Sequence, residues 1–157
     1  MDASAVRAAY ARFLDAARAA RGAPVHGDEW RPELVLAHVI VADRLVATAA
    51  AWALAEGHAT FDSSPCHSQP YLEAIIEAAG DWDGLVDAAR RGGAELAAVF
   101  ERIGPEQAAS MVQTRSFDAD GTAVESPMQL AEFVMGPLSI HLPGHTRQLE
   151  SYRAAAR

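Results

Sequence analysis

Of the six histidines in this chain, three are spaced so that their imidazoles could act together. His141 and His145 are four residues apart in a segment of helical periodicity. Their rings should leave one face about one turn apart, close enough to converge on a single ion. Leu138, Leu149 and Tyr152 share that face and are mostly apolar, which turns it inward. A buried neutral imidazole needs either a hydrogen-bond partner or a metal. The pair alone also has an ordinary explanation, with one ring half exposed and the other bonded to a backbone carbonyl. Pro143, between them, would either rotate His145 away from His141 or be the kink that aims the two.

His38 is nearly the only polar residue on an apolar helical face shared with Leu34, Val41, Leu45 and Trp52. By itself it reads as a satisfied core histidine. Opposite an inward-facing pair it would complete a set of three neutral imidazoles. Such a set binds a divalent metal and leaves coordination positions open, as catalytic sites do. Zinc, nickel, copper and iron all suit it. Gln148 follows His145 by three residues on the same face. It could orient an imidazole or a water, an interhelical hydrogen bond being the equal alternative. Cys66 and His67 are adjacent in a loop flanked by Ser and Pro, where neighbouring side chains rarely converge. Asp81, Asp83 and Asp87 suit a helix N-terminus electrostatically. His26 and His58 fall in loops and read as solvated.

Helices must position these residues. One is expected from Ala3 to Arg21, with Val6, Tyr10, Phe13, Leu14 and Ala17 at helical spacing. A second starts at Pro32, a favoured first position, and stops at Gly57. Trp30 ahead of it is placed to pack on Val35. This helix is apolar almost all round and should be the most buried. A polar loop covers His58 to Gln69 and a short helix Pro70 to Ala79. A third long helix is capped by Asp81 and ended by Gly104 and Pro105. Met111 to Phe117 is a strand candidate, and Asp120-Gly121 a turn signal for a small hairpin or extended crossover. Ser126-Pro127-Met128-Gln129 has the form of a helix start. A last helix is expected from there towards Ala155, kinked at Pro137 and Pro143.

The length fits one domain, residues 1–157. Half the residues are apolar, and Ala is over-used, which favours helices. The formal net charge is −8, every basic side chain is Arg, and no basic run occurs, so nucleic acid is not an expected partner. The apolar run from Leu34 to Ala55 is broken by His38, Asp43 and Arg44, no signal-peptide pattern opens the chain, and neither membrane span nor membrane partner is expected. A single cysteine fits a reducing compartment, and a cytoplasmic location is the expectation.

Two segments carry a resemblance. Trp30-Arg31-Pro32-Glu33-Leu34-Val35-Leu36-Ala37-His38, followed by Asp43-Arg44, resembles the second-helix signature of the DinB/YfiT-like superfamily. His141-Leu142-Pro143-Gly144-His145-Thr146-Arg147-Gln148-Leu149 resembles its last helix, although the proline between the histidines departs from the common pattern. The resemblance implies an all-α four-helix bundle in up-down-down-up order. It also implies a divalent metal, commonly zinc or nickel, on residues matching His38, His141 and His145. The mycothiol-dependent maleylpyruvate isomerases are relatives of that superfamily. The function expected is a metal-dependent enzyme that activates water or a low-molecular-weight thiol such as mycothiol on a small-molecule substrate. That would make it a thiol-dependent transferase or isomerase, or a hydrolase. No Asp or Glu is placed as its general base. The alternative is a non-catalytic metal- or small-ligand-binding protein, a homodimer through its Ala-rich faces being one form of it.

Overall fold

The most apolar run of the sequence becomes the central element, α2 (Pro32–Glu56). Pro32 occupies its first turn, where a missing N–H costs nothing, and Gly57 ends it in the left-handed region at φ 75°. By length and composition this helix could cross a membrane, yet 78% of its most apolar stretch is buried inside the fold. The computed structural model describes residues 1–25, 30–117 and 121–155.

Around α2 stand α1 (Ser4–Ala19), α3 (Gln69–Ala79), α4 (Trp82–Arg102), α5 (Leu130–Gly136) and α6 (Leu142–Ala155). Asp81 caps α4 by accepting from the Gly84 N–H at 2.8 Å. The helices α1 and α4 are amphipathic and α2 is not, so α2 is surrounded while the others each keep a wet face. α1 packs on α4 and α6, and α2 on α4, α3 and α6. Phe13, Leu36, Ile40, Leu85, Leu96 and Leu149 meet in the centre.

Among the described residues three strands complete the fold: β1 (His58–Asp62), β2 (Met111–Phe117) and β3 (Ala123–Gln129). Their order is β1-β2-β3, with β1 parallel to β2 (His58 opposite Met111) and β3 antiparallel to β2 (Thr114 opposite Ser126). Thr114 is buried in the sheet and donates its hydroxyl to the Ser126 carbonyl at 2.8 Å. The sheet lies against α2 and α5.

The architecture is therefore mixed helix and sheet, which overturns the expected all-α four-helix bundle. The strand at Met111–Phe117 falls where its pattern placed it, and Gly121 takes φ 77° as the turn requires; Asp120 and His26 lie outside the described residues. β1 forms inside the stretch read as a polar loop, because its partner is the distant β2. Ser126 to Gln129 finish β3 and do not start a helix. Pro127 is tolerated there because β3 is an edge strand, where a missing donor leaves no ladder bond broken. Helix resumes at Leu130, one residue beyond the apparent capping sequence.

The last helical stretch is not continuous. Between α5 and α6, Pro137–His141 form a π turn, in which the Leu142 N–H reaches back five residues to the Pro137 carbonyl. A proline removes one bond of the normal ladder and its ring crowds the carbonyl four residues before it, here Ser139 for Pro143. Widening the preceding turn relieves that crowding without breaking the helix. Trp52, expected on the His38 face, is instead 59% exposed.

Candidate metal centre

His38 comes from α2, His141 from the end of the π turn and His145 from the first turns of α6. Their rings form a near-equilateral cluster, with centroids 5.0 Å (His38–His141), 4.8 Å (His38–His145) and 4.6 Å (His141–His145) apart. One ligand nitrogen from each lies within 4.8 Å of the others, close enough for the three to bind one metal ion. Leu138, Leu149 and Tyr152 are buried beside them, so the face read as inward does turn inward.

Hydrogen bonds set the tautomers. His38 Nδ1 lies 2.9 Å from the Cys66 carbonyl oxygen, which can only accept, so Nδ1 carries the proton and Nε2 presents a lone pair. His145 Nδ1 donates to Gln148 Oε1 at 2.9 Å, Gln148 Nε2 donates to the Tyr152 hydroxyl at 3.2 Å, and Tyr152 donates to the Trp30 carbonyl. This chain fixes the His145 ring and links α6 to Trp30, two residues ahead of α2. Outer partners of this kind orient metal-binding imidazoles and raise their basicity. Trp30 also packs edge-on against His38, with centroids 5.3 Å apart.

His38 Nε2 and His141 Nε2 are 2.8 Å apart. With its proton on Nδ1, His38 offers only a lone pair there. The contact is thus either a bond donated by His141 or the position of a shared cation. A tetrahedral ion at about 2.05 Å from each nitrogen would set such nitrogens about 3.3 Å apart, a small adjustment of the rings. The donor set therefore fits a divalent metal. Burial disfavours the charged imidazolium in all three. It holds His38 down to about 4, against the Cys66 hydrogen bond, and His141 down to about 3, with the neighbouring histidines adding to the effect. His145 is lowered by burial as well, in part offset by Gln148. All three are neutral, and able to coordinate, at neutral pH.

Among the described residues, two clefts reach the cluster. One, of about 340 Å³, lies between α2, the sheet and the α5–π segment, and touches His38 and His141. The other, of about 470 Å³, is lined by Trp30, His38, His67, His145 and Gln148. His67 borders both, its exposed ring 5.7 Å from His38 and 5.3 Å from Phe117. Cys66 contributes its backbone; its thiol is buried and pushed up to about 12, which keeps it protonated and not a ligand at neutral pH. His58 is exposed and bonds the Glu56 carbonyl, away from the cluster.

The sequence pattern did not expose the Cys66 carbonyl, the Tyr152–Trp30 link or the sheet wall of the apolar cleft at His38 and His141. A carbonyl carries no residue signature, and the wall depends on pairing of distant strands. Comparison with protein-family models, curated proteins and solved structures finds no match to this chain. What defines the molecule is its own construction: a helical fold with a three-stranded sheet, and a histidine cluster of metal-binding geometry open to two clefts.

Proposed function

We propose that this chain is a metal-dependent enzyme of the DinB/YfiT-like kind, acting on a small molecule with activation of a low-molecular-weight thiol or water. The observation that carries the reading is the convergence of three neutral imidazoles, from two distant parts of the sequence, at a point that two clefts reach. A site made only to staple the fold would be closed, with four protein ligands. Three ligands and open access leave room for a reacting molecule.

His38, His141 and His145 would hold the ion; imidazoles suit zinc, nickel, copper and iron alike, and the family resemblance favours zinc or nickel. Bound there, a divalent metal without anionic ligands supplies its full charge to lower the pKa of water or a thiol and to polarise a carbonyl. The chain's own contribution is orientation and exclusion. The Cys66 carbonyl and Gln148 hold two imidazoles with their lone pairs inward, and Trp30 packs edge-on against His38. Thiol-dependent transfer or isomerisation and hydrolysis share this machinery.

The full chain, purified without chelators, should carry about one divalent ion per molecule, and His38→Ala and His145→Ala should each lose most of it by elemental analysis. His145 is only half-buried, so its variant reads ligation with less risk to folding. Native metal content in both folded variants would end the proposal. A thermal-shift series with mycothiol and simpler thiols then separates thiol from water activation.

A further inference from the structure

The cleft beneath the sheet is built unlike the cleft at Trp30. Phe61 and Phe133 stack edge to face across it, 5.0 Å between centroids, and Phe117 and Met128 extend the apolar wall. Among the described residues that line it there is no Asp, Glu, Lys or Arg. An ionised group placed there would lose hydration with no partner to replace it. At about 340 Å³ it has roughly twice the volume of a 150 Å³ cavity that holds benzene. One end is the His38–His141 edge. Ser63 also lines it, and the Ser63 hydroxyl is buried without a hydrogen-bond partner among the described residues. Buried hydroxyls ordinarily have a partner; this one is closed to solvent, and a turn of the Ser63 side chain would bring it to a ligand in the cleft.

We infer that this cleft is the substrate pocket of the histidine centre, and that it takes an uncharged aromatic molecule of one substituted ring, with a metal-binding atom toward His38 and His141 and a hydrogen-bonding group toward Ser63. The inference rests on the metal reading above and adds the substrate class to it. The second cleft, between Trp30 and Gln148, stays available for the other reactant.

Gly136 allows a clean test. It lines the cleft, has ordinary helical dihedrals (φ −54°, ψ −51°), and a Cβ built on it meets nothing within 4 Å. Gly136→Leu therefore fills the pocket from a helix that it also favours. The full chain loaded with Co²⁺ is titrated with thiophenol and with 2-mercaptoethanesulfonate, following the thiolate-to-cobalt absorption. Thiophenol should bind at least about ten-fold more tightly, and Gly136→Leu should erase that preference while keeping its Co²⁺. Equal affinities in the native chain, or an unchanged preference in Gly136→Leu, would overturn the pocket assignment while leaving the metal centre intact. If no Co²⁺ binds, the metal reading fails, and phenol binding to the metal-free chain by calorimetry decides the pocket. Binding lost in Gly136→Leu supports it; no binding to the native chain overturns it.

Discussion

His38 and Asp43 are both buried on α2, five positions apart, at 7% and 2% exposure, and the fold treats them in opposite ways. Around His38 every feature supports a neutral ring with a directed lone pair: a backbone acceptor on Nδ1, two histidines facing Nε2, an indole against its edge. Asp43 has the Tyr10 side chain and Gly92 of α4 as neighbours, and its Oδ2 has no hydrogen-bond partner among the described residues. Burial alone pushes its carboxyl up to about 7, with the Tyr10 hydrogen bond opposing. A histidine enters a core neutral at little electrostatic cost; a carboxylate enters it by keeping its proton. The His38 region brings three neutral imidazoles close enough to bind one metal ion, while the Asp43 region is a polar defect closed over by packing.

The largest expected effect separates the two by pH. Asp43 has a folded value of about 7 against an ordinary 3.8. The native state therefore binds the extra proton, so its contribution to stability is whole below pH 3.8 and is lost as pH rises through 7. The histidines run the other way. Their folded values lie below the ordinary 6.5, so their contribution is present above 6.5 and is lost as pH falls through about 4 for His38 and about 3 for His141. In metal-free protein these slopes oppose each other. Asp43→Asn should remove the acidic one, changing the stability difference from the native chain by about 4 kcal/mol at most between pH 4 and 8. Chemical denaturation with chelator present measures it. Identical pH profiles for the two chains would show that Asp43 titrates normally and that the contrast is false.

A second effect tests how tightly the Asp43 side is closed. A Cβ on Gly93 would stand 2.3 Å from Tyr10 Cδ1, in the ring that leans toward Asp43. Gly93→Ala should destabilise by about 1–3 kcal/mol despite improving helix propensity, since the Tyr10 ring is buried and must shift. A neutral or stabilising result would mean that α1 and α4 yield there easily. Gly92 is different: a Cβ there meets Asp43 Oδ2 at an ordinary 3.6 Å, so Gly92→Ala serves as the control.

How much of this was legible depended on whether the deciding interaction was local. Pro32, Gly57 and Asp81 mark helix ends through their own backbone chemistry, and the structure follows them. The three histidines were legible as a cluster because inward-facing polar residues on apolar faces have few places to go. β1 was not, since five residues reading His-Ala-Thr-Phe-Asp become a strand only beside Met111–Arg115. Ser126-Pro127-Met128-Gln129 carries a sound local helix signal, and pairing with β2 overrides it. The π turn was half legible: two prolines announced an irregularity, but whether it would break the helix or widen it depended on packing.

The smallest effect bears on why the two sides of the centre differ in adjustability. His38 is held by a main-chain carbonyl, which no substitution of Cys66 removes, whereas His145 is held by the Gln148 side chain. Gln148→Ala should keep the fold, because Gln148 is only half-buried, and should weaken metal binding about 10- to 100-fold by releasing the His145 ring. Gln148→Glu keeps an acceptor on Nδ1 and should recover most of that affinity. Competition with a chelator of known strength measures both. An alanine variant with native affinity would mean that packing beside Leu149 and Tyr152 already orients His145. The hydrogen-bond chain to Trp30 would then serve to tie α6 to the start of α2, and the adjustable side of the centre would be as rigid as the side fixed by the backbone.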